Sequence, residues 1–195
     1  ITNVTAELRD KMIERRKEIE KTRRLTAAED RVYQAVLLDI GVGIDGGNVF
    51  YGNIGSDEHM ANTVIGDNVN SSSRLEGLTR IYHLPVIVSE YIKDEVENVS
   101  TRYKFYEIDT VQVKGKTKGK KIYFPVDTYA QSASIVIEKF DKFKDGLEAY
   151  YKGDWSKARK KFKDCDHDVC EVFLERMGRK SAPAKWSGIW TMTTK

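Results

Sequence analysis

The chain has 195 residues, enough for one full domain with a sizeable core, or for a domain with an appendage. Hydrophobic residues make up 40% and charged residues 32%, as in a globular protein with a well-solvated surface, and a net charge of +3 gives no case for nucleic-acid binding. No run approaches the ~18–20 apolar residues of a membrane helix, and two cysteines build no disulfide framework, which points to a reducing, cytoplasmic setting.

The chain opens on Ile1 in mid-pattern, with no methionine and no signal-peptide pattern, so a piece of something longer is expected. Residues from Thr5 to Leu38 read as a long polar helix with Leu8, Met12, Ile19, Val32, Ala35 and Val36 as sparse apolar marks. Its charge run, RRKEIEKTRR over 15–24, reads as a solvated face or a helix connection. The stretch DIGVGIDGGNVFYGNIGS, 39–56, predicts two short strands around Asp45-Gly46-Gly47, residue types that suit a tight hairpin turn, with a second Gly-rich bend over 52–55. A helix over 67–82, a strand over 85–89 and a helix over 90–96 follow. Two further strands, near 103–113 and 120–128, flank a Lys/Gly-rich turn. This alternation predicts helices laid against a sheet, in an α/β or α+β layer.

After Tyr129 the character changes. QSAS, 131–134, reads as a linker, and the pattern is helical from Ile135 to Met177. GLEAYYKGDWSKARKKF, 146–162, resembles one tetratricopeptide helix pair, and a single pair cannot form a solenoid. It is expected to cap the main domain or to help pair two chains. The tail KWSGIWTMTTK, 185–195, carries two tryptophans too costly to leave in water and should pack on something.

The segment TVIGDNVNSSSRL, 63–75, holds the candidate chemistry. Asn70 and Arg74 are four apart and share one helical face. An amide and a guanidinium aimed the same way suit a group that gains negative charge during reaction. On spacing alone, a surface polar pair with Asp67 or Asn68 as helix cap accounts for the same residues. Order and context add to this. GVGIDGGNVFYGNIGS, TVIGDNVNSSSRLEGLT, PVIVSE and VQVKGK, in that order and spacing, resemble the C-terminal half of the class III nucleotidyl cyclase catalytic domain over roughly residues 38–128.

That resemblance implies a ferredoxin-like α+β half-domain with a mostly antiparallel sheet over 1–130, followed by a helical extension over 135–180 and a Trp-containing tail over 181–195. It implies that Asn70 orients the ribose and that Arg74 stabilises the phosphorus transition state as the 3′-hydroxyl attacks the α-phosphate. Thr63 falls where these enzymes read the purine, and threonine there favours adenine. Lys114, with Lys116 as its nearest rival, matches the lysine that meets the terminal phosphates. The implied reaction is ATP to cyclic AMP and pyrophosphate at a head-to-tail dimer interface, in a homodimer or with a complementing cyclase half, as in bacterial adenylate cyclases. Cyclisation needs chiefly in-line positioning and neutralisation of phosphate charge, which fits these residue types.

The departures matter as well. Asp45 stands in the GIHTG-type pattern where histidine is usual, a change harmless for a turn. Asn62 replaces the common tyrosine before Thr63, and Ser71 to Ser73 replace the frequent alanine, their small size letting the helix lie close to sheet or ligand. The two aspartates that hold divalent cations in this family, Mg²⁺ or Mn²⁺, are found nowhere in residues 1–38, nor is the lysine that helps read the base. The metal ligands are therefore expected upstream, with any membrane anchor, and this chain alone is expected to be inactive. The alternative is a non-catalytic cyclase-like dimerisation or regulatory module whose helices bind protein. Lost N-terminal strands would leave an open sheet edge, so self-association is expected. CDHDVC, 165–170, lacks the ligands for a zinc site and reads as core or surface thiols.

Overall fold

The polar N-terminal stretch folds as two helices where one long helix is expected, in a computed structural model that describes residues 2–36, 40–56, 58–112 and 119–191. Helix α1 runs Thr2–Thr22 and α2 runs Ala27–Val36. The break has a local cause. Thr26 and Glu29 form a capping box: the Glu29 N–H donates to Thr26 Oγ1 at 3.3 Å, and the Thr26 N–H donates to Glu29 Oε2 at 2.9 Å. Arg23 donates to both oxygens of the same carboxylate at 2.9 and 2.6 Å, which with the Thr26 contacts holds the Glu29 carboxyl well below the usual range. Residues 1–41 form one compact unit; Leu38, the expected helix end, lies outside the described residues.

The second unit, Val42–Lys195, contains β1 (Val42–Ile44), β2 (Phe50–Ser56), β3 (His59–Ile65), α3 (Asp67–Tyr82), β4 (Val86–Ser89), α4 (Glu90–Val99), β5 (Tyr103–Gln112), β6 (Lys120–Asp127), α5 (Ala133–Tyr151), α6 (Trp155–Cys165), α7 (Asp168–Met177) and β7 (Trp190–Thr191). Five strands form a mixed sheet in the order β1-β4-β6-β5-β7, so the α+β class expected from the sequence is what forms. The β4–β6 and β5–β6 pairs are antiparallel; β1–β4 and β5–β7 are parallel.

The expected hairpin around Asp45-Gly46-Gly47 does not form. Strand β1 joins the main sheet beside β4, whereas β2 pairs only with β3, so the glycine run is a crossover between two sheets. The physical reason is close packing of α3 over β1. A Cβ built on Gly43 would lie 2.3 Å from the Ser72 carbonyl oxygen and 2.2 Å from the Glu76 nitrogen, so only glycine admits the helix there. The expected bend over 52–55 is likewise strand, paired in register Gly52↔Thr63 to Gly55↔Met60.

Along β6, Ile122 and Val126 belong to the main core and Phe124 packs against it, while Tyr123 points to the opposite face, donating to Glu90 of α4 at 3.2 Å. Leu75, Leu78 and Tyr82 of α3 join Phe140, Phe143, Leu147, Phe162, Phe173 and Met177 of the later helices in that same core. Each fully buried side chain of this size contributes roughly 1.5–3 kcal/mol, so α5–α7 are a structural layer of this unit. Both tail tryptophans pack as expected: Trp186 donates its ring N–H to the Tyr150 carbonyl at 2.8 Å, and Trp190 lies over the Arg176 guanidinium at 5.2 Å.

One polar cluster is sealed in this core. Asp109 of β5 is fully buried and accepts from Tyr82 Oη at 2.6 Å and from Arg176 Nη1 at 2.5 Å, while Arg176 Nη2 donates to Tyr82 Oη at 2.7 Å. A single buried carboxylate thus ties α3, β5 and α7 together. Cys165 and Cys170 are buried free thiols, and among the described residues no group of three or more His, Cys, Asp or Glu could hold a metal ion. No helix among them is long and apolar enough to cross a membrane.

Candidate active site

Helix α3 begins directly after β3, at Gly66, whose backbone carbonyl accepts the first helical N–H bonds; no side chain caps the end, so neither Asp67 nor Asn68 plays the capping part. Asn68 instead donates to the Asn48 carbonyl at 3.3 Å, pinning the crossover to the helix. Four residues further on, the helix places Asn70 and Arg74 at one depression with a cavity of about 120 Å³. Asp67, Ser71, Leu75 and Leu78 of the same helix line it, with Val111 of β5 and Lys120 and Ile122 of β6 opposite.

The two candidate catalytic residues are therefore brought together. Arg74 is exposed and has no ion-pair or hydrogen-bond partner among the described residues. Its helical neighbour Arg80 is tied to Glu76 at 2.8 Å, and Arg102 to Asp127 at 2.6 Å. An unpaired guanidinium beside a cavity is chemically available to an anionic ligand, and its planar fork suits phosphoryl oxygens.

The serines have distinct partners. Ser72 Oγ accepts the Asp45 N–H at 3.0 Å, so the helix is stitched to the end of β1. The Asp45 carboxylate lies near the Ser71 and Ser89 hydroxyls, and the Gly46 N–H donates to its Oδ1 at 2.9 Å. Oδ2 is buried and has no hydrogen-bond partner among the described residues. Burial pushes the Asp45 carboxyl up, but Ser71, Ser89, Gly46 and the charge of Lys120 outweigh it, and its pKa lies below the ordinary value. Asp45 is thus a half-buried anion joined to α3 through Ser72, a contact that turn composition alone does not show.

Thr63 lies on β3 opposite Gly52 and is not among the residues that line the depression. It shares a strand face with Ala61 and Ile65, and Asn62 points the other way, donating to Tyr51 Oη at 3.0 Å. Lys114 and Lys116 lie outside the described residues. The lysine among the described residues that line the depression is Lys120, which no sequence motif singles out. Strand alternation was the available signal, since Lys120 and Ile122 must share a face, but only the packing of Ile122 with Leu75 and Leu78 shows that this face meets α3.

The profile of the family described as adenylate and guanylate cyclase catalytic domain matches residues 4–127. The terminal-differentiation-specific adenylate cyclase of Dictyostelium discoideum is 26% identical over 129 residues, 66% of this chain and 6% of that protein. The adenylate cyclase of Anabaena cylindrica is 39% identical over 89 residues, 44% of this chain and 17% of that protein. The chain thus spans a small part of the length of these relatives. Among solved structures, the adenylyl cyclase CyaB from P. aeruginosa overlays with a TM-score of 0.40 at 25% identity, covering 59% of this chain and 55% of that one. With a family profile running through the sheet, the hairpin and the helix that bears Asn70 and Arg74, the chain belongs to the adenylate and guanylate cyclase catalytic domain family.

Proposed function

We propose that the chain supplies the nucleotide-orienting and transition-state half of an adenylate cyclase site, converting ATP to cyclic AMP and pyrophosphate by attack of the ribose 3′-hydroxyl on the α-phosphate. The observation that carries this is the meeting of Asn70 with an unpaired Arg74 at one depression on α3. In this reading the Asn70 amide holds the ribose and the Arg74 guanidinium neutralises charge on the phosphoryl oxygens as the bond to the leaving pyrophosphate breaks. Thr63 reads adenine from the neighbouring hairpin, its hydroxyl able both to donate and to accept. Lys114 meets the terminal phosphates.

The Mg²⁺ or Mn²⁺ ions that the family uses do not fit the described residues, which gather no three ligands at one place. No step is therefore assigned to a metal on this chain, and the metal-binding carboxylates belong to other segments of the protein or to its partner in a head-to-tail dimer. The test is Arg74→Ala in a form of the protein that carries those carboxylates: turnover falls about a hundredfold, a larger factor than the loss of ATP affinity. Unchanged turnover removes Arg74 from the mechanism. A second reading, a non-catalytic dimerisation module, draws on the exposed apolar hairpin, where Phe50 is 81% and Tyr51 73% accessible. The same pair of measurements separates the two, because a module without activity has no turnover for the substitution to lower.

A further inference from the structure

We infer that Lys120 is a phosphate-binding residue of this site, forming with Arg74 a two-cation cradle for the oligophosphate part of the substrate and for the pyrophosphate product. The inference rests on the proposed cyclase reading and adds a residue that the family resemblance does not assign.

The cradle follows from strand register. Lys120 opens β6 and pairs with Val111 of β5. Ile122, two residues on, is buried in the core that faces α3, so the Lys120 side chain leaves the strand on the same face. There it lines the same cavity as Asn70, Ser71 and Arg74. Lys121, one residue away, takes the other face and is paired with Glu107 at 2.8 Å. Lys120 has no such carboxylate at salt-bridge distance among the described residues. Its charge helps to lower the pKa of the half-buried Asp45 carboxylate.

Charge and size fit the same ligand. Arg74 and Lys120 approach the cavity from a helix and from a strand, and Asp67 is the one carboxylate among the described lining residues, which leaves positive charge in excess among them. At about 120 Å³ the cavity has room for phosphoryl groups. The planar guanidinium and the compact ammonium divide the work as their shapes dictate, one bridging two oxygens and the other acting as a point charge.

The experiment is calorimetric titration of inorganic pyrophosphate into the 195-residue chain, wild type and Lys120→Met, Arg74→Met and Lys121→Met, with thermal melts to verify folding. The expected result is that Lys120→Met and Arg74→Met each weaken pyrophosphate binding about tenfold. Lys121→Met leaves it unchanged, and Lys120→Arg restores it. Wild-type binding by the Lys120→Met chain, with loss in Arg74→Met, overturns the role of Lys120 and leaves the cyclase reading of α3 standing. Undiminished binding in both variants, or none by the wild type, overturns the cradle and with it the phosphate-binding reading of this face.

Discussion

Ser72 and Gly43 show how single residues set the site. The Ser72 hydroxyl accepts the Asp45 N–H, and the missing side chain of Gly43 lets the α3 backbone lie against β1. A serine is a poor helix-interior residue by propensity, yet here its hydroxyl satisfies a backbone donor at the strand end. Gly43→Ala is expected to push α3 off the sheet and to cost about 1–3 kcal/mol through overpacking, measured by urea denaturation. A wild-type midpoint would show that the helix has room to yield. Ser72→Ala, which removes one acceptor without adding volume, should cost less, about 1 kcal/mol in the same measurement.

Elements are held by two polar devices of different kinds. The first is the buried cluster of Tyr82, Asp109 and Arg176. Burial pushes the Asp109 carboxyl up, against the opposing pull of Arg176, Tyr82 and Thr110. Burial alone would lower the Arg176 guanidinium, but Tyr82 and Asp109 outweigh it and raise its pKa. Arg176→Ala strands a buried carboxylate between α3 and β5, and a loss of about 3–5 kcal/mol is expected by urea denaturation. If α7 were a loosely attached appendage, the loss would be far smaller. The second device is the cap of α7, where His167 Nδ1 accepts the Val169 N–H at 3.2 Å and the ring packs edge-on against Phe140. Burial of His167 lowers its pKa below the ordinary value near 6.5, the neighbouring Asp168 opposing. The folded state therefore favours the neutral ring, and protonation also removes the accepting lone pair. The stability that this provides is fully present above pH ~6.5 and is lost as pH falls from there through the folded-state pKa. His167→Asn, which keeps a capping acceptor but does not titrate, should flatten the dependence of Tm on pH between about 7 and 5. An unaltered slope would place that dependence elsewhere.

At the scale of the whole unit 42–195, the sheet and the three later helices share one core, whereas the β2–β3 hairpin carries its apolar residues in the open. Phe50, Tyr51, Met60 and Ile65 are exposed on it at 81%, 73%, 61% and 49%. Phe50 and Ile65 lie on one face of the hairpin and Tyr51 and Met60 on the other; apolar exposure on both faces suits association, so self-association that rises with concentration is expected by light scattering, and Phe50→Asp with Met60→Asp should reduce it. A monomer at all concentrations would count against a dimer built on this hairpin. The chain by itself, given ATP with Mg²⁺ or Mn²⁺, is expected to form no cyclic AMP; measurable product from pure material would overturn the assignment of the metal ligands to other segments.

Much of this was legible in local pattern. The boundaries of α3, its Asn70–Arg74 face, the strands at 86–89 and 120–127 and the packing of the tail tryptophans follow from periodicity, spacing and hydrophobic cost, which act between near neighbours in the chain. Motif order carried the family as well, because the spaced glycines and the Asn-x-x-x-Arg element survive translation into sequence. What local pattern misjudged were pairings. Asp45-Gly46-Gly47 has the residues of a hairpin turn, but whether β1 pairs with β2 or with β4 depends on how closely α3 can approach Gly43, a contact between positions about thirty apart. The Lys/Gly-rich run offered five lysines of similar local character. Only the β5–β6 register, shifted between Glu107 and Asp109, decides that Lys120 faces the cavity while Lys121 turns away to Glu107. Sequence by itself determined which helix carries Asn70 and Arg74 and to which family the chain belongs; tertiary structure alone decided which charges meet there, because strand register and helix–sheet distance arise from packing between segments that no short window contains.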